Sequence, residues 1–336
     1  MVITILVLGF LVGIVLQYAK LNRYDTVSGL ATLDNFAIAK AIFIVIGVGA
    51  ILLNIEIGFG FATYHIKPFM IIGIVLGGLI FGSGMAILGY CPGTLAVSLG
   101  EGSLDALLGI VGGLIGGFIY TLLVPSFNFI IGPNLGNVSL SSLIGTNNKL
   151  ILFPFVFVFG GLFITAAFIL HKKEKTNDIK WLFAGIALAV LNAIAFLTVV
   201  TNRPIGASTA YPYISDALTG ITNNNYFQKI KTPGSWEFIF LTGAFIAGLI
   251  ISLIKKEFKF KLIHDNWKKY KGVSNLKRIL WSLAGGFILI FGARLADGCT
   301  SGHILSGGMQ IAFSSLVFAI FVFAGLLITG RIFYKR

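Results

Sequence analysis

Nine times along the chain the sequence returns to an apolar run close to bilayer length: residues 2–18, 36–57, 69–89, 104–124, 151–170, 181–201, 235–254, 277–296 and 310–333. A helix needs about 20 mostly apolar residues to cross the hydrocarbon core, and lipid offers no partner to an open backbone. Runs of this length and number commit the chain to an all-α integral membrane protein. Composition agrees, with a mean hydropathy of +0.94 and 11% charged residues, where soluble domains carry about a quarter. The 42 glycines suit membrane helices that pack closely or are interrupted. The run 2–18 has no basic residues before it and no small-residue cleavage site after it. It reads as a retained helix and not as a removed signal peptide.

Nine spans place the two termini on opposite sides of the membrane. The side shared by the C-terminus and the loops after spans 1, 3, 5 and 7 holds 19 Lys and Arg, against 6 on the other. Lys255, Lys256, Lys259, Lys261, Lys268, Lys269, Lys271, Lys277 and Arg278 supply nearly half of the larger number. By the positive-inside rule the C-terminus is cytoplasmic and the N-terminus lies outside; in a prokaryote the membrane is expected to be the inner (cytoplasmic) one. The net charge of +13 is then a topology signal with attraction to anionic lipid. No nucleic-acid partner is implied.

Two breaks interrupt this apolar pattern, and they hold the only two cysteines. Gly89-Tyr90-Cys91-Pro92-Gly93-Thr94 follows a run ending in Gly77-Gly78 to Gly84, and Asp297-Gly298-Cys299-Thr300-Ser301-Gly302-His303 follows one containing Gly285-Gly286 and Gly292. Pro92 and Gly93 in succession cannot carry a helix through. Thr94 to Leu99 and the stretch up to Gly307-Gly308 are long enough only for short helices, too brief to cross. Such segments are expected to be re-entrant, buried in protein or lining a polar cavity. Four spans before the fifth and four after it make two inverted four-helix repeats around a linker helix: 1–125, a linker 126–179, and 180–336. Inverted repeats meeting at broken helices near the midplane are a transporter signature.

These residues resemble the YeeE/YedE family of sulfur-transport-domain membrane proteins. The resemblance lies in the two cysteine segments and in Asn202-Arg203-Pro204-Ile205-Gly206-Ala207-Ser208-Thr209, in family order along the whole chain. It implies uptake of thiosulfate or a related small sulfur anion through an hourglass-shaped protein. The thiols would pass the anion along by S–H hydrogen bonds without covalent capture. It also implies a cytosolic TusA-like sulfurtransferase that consumes the arriving sulfur. One departure stands out. Thiosulfate transporters of the family carry a further cysteine soon after the first span, where this chain reads Gln17 to Tyr24 with Asn22 in the cysteine's place. Asn also donates hydrogen bonds, so a relay with altered chemistry is the expectation.

A sulfur oxyanion on such a path needs donors that do not trap it. Thr94, Thr300, Ser301 and the amides of Gly93 and Gly302 offer them at helix starts. A thiol is a weak, polarizable donor suited to a soft sulfur atom, so Cys91 and Cys299 are the central candidates. An ionised thiol would repel the anion, and the relay therefore needs neutral ones. Packing cysteines or a Cys91–Cys299 disulfide are the alternatives. His303 is open between a proton relay and a hydrogen-bonded structural histidine. Arg203 is open between drawing anions to the outer mouth and snorkelling at the interface. Arg294 is open between substrate contact and an ion pair with Asp297, three residues on.

The four histidines have no metal-ligand spacing, and no nucleotide-binding motif occurs. No metal, cofactor or catalytic residue is therefore assigned, and transport is expected to be channel-like or gradient-driven. The alternative from another class is a membrane-embedded thiol sulfurtransferase or oxidoreductase. It would need a base or a resolving thiol beside a cysteine; there is no Cys-x-x-Cys, and only His303 stands near. A scaffold does not account for two polar breaks within apolar halves.

Overall fold

The computed structural model describes residues 1–127, 131–144, 149–174 and 176–335. The expected linker 126–179 thus lies partly outside the described residues, as do the cytoplasm-assigned Lys175 and Arg336. The described chain is mostly helical, with four isolated bridges as its β pairing. In order the helices are α1 Val2–Tyr18, α2 Tyr24–Ala31, α3 Ala37–Gly58, α4 Ile71–Leu88, α5 Pro92–Gly100, α6 Leu104–Phe127 and α7 Leu140–Ile144. They continue as α8 Lys149–Glu174, α9 Lys180–Phe196, α10 Ala210–Thr219, α11 Asn225–Ile254, α12 Asp265–Lys271, α13 Asn275–Leu295 and α14 Phe313–Phe333, with a π-helical segment Thr300–Gly307 before the last.

Seven helices among the described residues are long and apolar enough to cross a membrane; α1 and α9, at 17 residues each, are apolar but shorter. The chain is a multi-pass membrane protein. Two expected boundaries moved. The run 181–201 stops as a helix at Phe196, because Thr201 Oγ1 turns back 2.6 Å onto the Ala195 carbonyl and Asn202 takes φ +49°. The run 235–254 is the end of a 30-residue helix that starts ten residues earlier, where Asn224 Oδ1 accepts from Phe227 N at 2.7 Å.

α4 packs on both α13 and α14, α6 on α13, α1 on α11, and α3 on α8 and α9. Glycine permits these approaches. A Cβ on Gly82 would run into the Val322 carbonyl of α14, and one on Gly286 into the Gly109 carbonyl of α6. Small residues at such crossings let backbones approach where lipid supplies no hydrophobic drive. α8 is tied to α3 by Glu174, which accepts from Phe36 N at 2.9 Å and pairs with Lys40.

Arg278 leaves the exposed basic cluster. Its side chain is fully buried, paired with Asp105 of α6, bonded at 2.9 Å to the Leu88 carbonyl and stacked between the rings of Tyr24 and Trp267. Asp105 in turn accepts from Tyr90 Oη at 3.1 Å and meets His264 Nε2 at 3.1 Å. A buried ionic cluster thus holds the residue immediately before Cys91.

Candidate functional site

Each cysteine is the residue that starts a short helix. Cys91 (φ −106°, ψ 166°) precedes α5, with Pro92 in the first helical position, where its missing N–H costs nothing. Cys299 (φ −121°, ψ −170°) precedes the π-helical segment. Two residues before each, the chain turns through the left-handed region, at Gly89 (φ +80°) and Asp297 (φ +56°). Gly is required at 89, since a Cβ there would strike the Tyr24 ring. Asp297 tolerates the turn because its carboxylate accepts from Arg294 Nη2 at 3.0 Å.

The hydroxyl neighbours engage the thiols. Thr94 Oγ1 accepts from Cys91 N at 2.9 Å and lies 3.4 Å from Cys91 Sγ, and Ser301 Oγ lies 3.1 Å from Cys299 Sγ. Both thiols are free. Cys91, Thr94 and Thr300 line two adjoining cavities of ≈ 80 Å³ each, the second also reached by Gly93, Ser301 and Asn192, while Cys299 lines neither. The remaining wall is apolar, with Leu16, Leu188 and Leu305 common to both. Donors from the two cysteine segments therefore face one small space ringed by leucine. At the start of α5 the Thr94 N–H is taken by the Cys91 side chain, so the Gly93 N–H, without an intrahelical acceptor, joins the hydroxyls and the Cys91 thiol. Such a space can hold a small anion by hydrogen bonds, with no cation inside to trap it.

The other candidates fall outside this centre. His303 is fully buried, its Nε2 2.7 Å from the Ala296 carbonyl and its Nδ1 3.0 Å from Ser315 Oγ, with its ring against Phe318. Arg294 is spent on Tyr226 Oη (2.8 Å), Thr209 Oγ1 (3.1 Å), Ser208 Oγ (3.4 Å) and Asp297. It holds the turn before Cys299. Gly302 stands beside the Lys67 side chain. Arg203 makes no hydrogen bond or ion pair with its guanidinium among the described residues, and lies within electrostatic reach of Glu237. Asn22 is fully buried one layer beyond the cavity, its Nδ2 3.2 Å from Ser98 Oγ on α5. It does not cap α2, whose N-cap is Arg23.

Model and chain agree over nearly the full length: the family described as "Sulphur transport" matches residues 25–328. The chain belongs to the sulphur transport family. The thiosulfate transporter TsuA of Spirochaeta thermophila is 26% identical over 362 aligned positions, covering all of both chains. The thiosulfate transporter TsuA of Escherichia coli is 24% identical, covering all of this chain and 96% of its own. The resemblance read from the cysteine segments is borne out.

Within this member of the sulphur transport family, four side chains near the site escaped the sequence. Tyr211 Oη donates to the Pro92 carbonyl at 3.1 Å, carrying α10 to the Cys91 turn. Asn192 donates to Ser306 Oγ at 3.0 Å and accepts from Ile205 N at 3.2 Å. Lys67 reaches the Asp297 carbonyl. Glu237 Oε2 accepts from Ala210 N at 3.2 Å, at the start of α10. A signal existed for two of them. Asn192 and Glu237 are polar groups inside apolar runs, which are retained there only with a partner or a role.

Proposed function

We propose that the chain carries thiosulfate, or a closely related small sulfur anion, across the cytoplasmic membrane of a prokaryote, passing it between the Cys91 and Cys299 segments. The observation that carries this is the cavity into which Cys91, Thr94, Thr300 and Ser301 converge from two separate helix starts. Both full-length relatives are named thiosulfate transporters. Asn22 and Ser98 would continue the path on one side of the cavity, Lys67 and Arg203 on the other. Neither thiol has His303 as a base, since both its ring nitrogens point elsewhere; transfer of the intact anion fits better than thiol catalysis.

Nine spans in two inverted repeats, 1–125 and 180–336 about a linker 126–179, complete the proposal. Support comes from packing that repeats with partners exchanged: α4 on α14 and α13 on α6, α1 on α11 and α9 on α3, α5 on α11 and the π-helical segment on α3. The sidedness has support from the bridges. Ser103 pairs with Lys261, joining two loops assigned to the cytoplasm; Ala62–Leu197, Met70–Asn134 and Ser139–Ala312 each join a loop assigned to the outside to the outer end of a span. A cytosolic TusA-like sulfurtransferase would meet the exposed lysines between α11 and α13, without Arg278.

The test is uptake of sulfur-labelled thiosulfate by vesicles reconstituted with the full chain. Cys91→Ala and Cys299→Ala should each lower the initial rate about ten-fold or more while leaving folded protein, since the packing loss is about 1–2 kcal/mol. Wild-type rates in both alanine variants would rule out the thiol relay. Conversion of thiosulfate by solubilised protein would favour the enzyme.

A further inference from the structure

α8 packs on α3, and α14 packs on α4 and the π-helical segment. Between α8 and α14 this leaves an apolar groove of ≈ 830 Å³, walled by those two helices and α3. Ile304 of the π-helical segment lines it and is buried, whereas Leu162 on α8 and Ile320 on α14 stand exposed along its edges. The groove therefore reaches in to the Cys299 segment and opens sideways to lipid.

Its length matches one leaflet. The lining runs from Phe159 to Leu170 on α8 and from Leu316 to Leu327 on α14, eleven residues along each helix. At about 1.5 Å per residue that is about 17 Å, close to half of the ~30 Å hydrocarbon core. Leu30, Leu33 and Phe36 line the end assigned to the cytoplasm. The charges at that end favour an anion. One turn further along the same faces stand Lys173, three residues past Leu170, and Arg331, four past Leu327. Both are exposed, and neither pairs with an acid among the described residues. The acids beside them in sequence are committed. Glu174 takes Lys40 and Phe36 N, and Asp34, next to Leu33, accepts from Thr32 Oγ1 at 2.9 Å and Tyr270 Oη at 3.0 Å. Basic sites between helices at the cytoplasmic face suit anionic headgroups, and arginine meets phosphate through paired donors.

We propose that this groove binds one anionic phospholipid of the cytoplasmic leaflet, an acyl chain lying between α8 and α14 and the phosphate meeting Lys173 and Arg331. The choice of leaflet rests on the sidedness proposed above. A second copy of the chain, related by a two-fold axis along the membrane normal, would bring its own Lys173 and Arg331 to the same rim, like charge against like. An anionic headgroup complements both. The acyl chain also has a functional neighbour. Ile42 of α3 lines both the groove and the Cys91 cavity, and Ile304 is followed by Leu305, which faces that cavity. A seated chain thus backs the wall of the central cavity and restrains the segment that follows Cys299.

The experiment uses the full chain, stripped of lipid in detergent and then given phosphatidylglycerol or phosphatidylcholine with identical acyl chains. Native mass spectrometry should find one phosphatidylglycerol retained per chain, and the unfolding temperature should rise about 3 °C or more above that in phosphatidylcholine. Lys173→Gln combined with Arg331→Gln should remove both preferences. Ala319→Trp, which fills the groove from α14, should lose retention of either lipid. Equal retention of the two lipids by the wild type, or wild-type retention by the double variant, would overturn the site. A dimer in place of retained lipid would give the groove to a second copy and overturn it too. In vesicles, wild-type thiosulfate uptake should be about three-fold or more faster with phosphatidylglycerol than without it, and the double variant should show no difference. Equal wild-type rates would refute the support of the cavity wall. If no vesicle takes up thiosulfate the transport reading fails, and lipid retention still decides the groove.

Discussion

Ser98 and Ser306 each stand seven residues beyond a cysteine, and each donates its hydroxyl to the loop facing it, to Asn22 O at 2.7 Å and to Ile205 O at 3.0 Å. Each also accepts from a side-chain amide, Asn22 Nδ2 at 3.2 Å and Asn192 Nδ2 at 3.0 Å. The far turn of both short helices is thus pinned in one way, and each thiol is positioned from behind.

Ser98→Ala and Ser306→Ala should each destabilise the protein by about 1–2 kcal/mol, because a buried carbonyl loses its donor. Chemical unfolding in detergent measures this, and initial uptake should fall with it as the cysteine segments loosen. A variant with wild-type stability would show that the hydroxyl does not hold its loop.

Breaking the Arg278–Asp105 pair should be more costly. Asp105→Asn leaves a guanidinium buried between Tyr24 and Trp267 without its carboxylate, a loss of about 3–5 kcal/mol. The double change Asp105→Leu with Arg278→Met should lose less than either single change, since no charge is left alone. Folded yield and thermal unfolding in detergent check the order; a double variant worse than both singles would contradict it.

Asn22 lends itself to a three-way series. Asn22→Cys should preserve uptake or shift preference towards thiosulfate, by restoring a polarizable donor. Asn22→Leu should weaken uptake, leaving Ser98 Oγ without its amide. Asn22→Asp should be the most damaging, about ten-fold or more, because a second carboxylate faces Glu101 and the departing anion in a low-dielectric passage. Competition assays across several sulfur anions give the ranking, and unchanged uptake in the Asp variant would remove Asn22 from the path.

Sidedness can be read with a reagent that does not cross membranes. In protein stripped of its own cysteines, Asn223→Cys, on the exposed loop before α11, should react from outside, and Lys268→Cys on α12 should not. Reversed labelling would invert the orientation while leaving the repeat pairing intact.

Apolar run length by itself determined the membrane setting and the helical class, because lipid admits only backbone that satisfies itself. The sequence also placed the two breaks: Pro92 and the glycines about each cysteine admit no continuous helix, and helices do end there. The Arg294–Asp297 pair was legible from its three-residue spacing, although the contact is made across the left-handed turn that follows α13 and not along the helix. Tertiary structure alone decided the rest. Which donors share the central cavity depends on bringing Thr94 against Thr300, with most of the chain between them. Arg278 read as one more cytoplasmic lysine-like charge until α6 and α13 packed and buried it on Asp105. Gln17, Asn22 and Glu101 are unremarkable polar residues at the ends of apolar runs. Only the folding of α1, the loop after it and α5 onto one another buries Gln17 and Asn22 and brings their side chains to the Glu101 carboxyl. Hydropathy is a sum over neighbours along the chain, whereas a side-chain hydrogen bond is a property of neighbours across it.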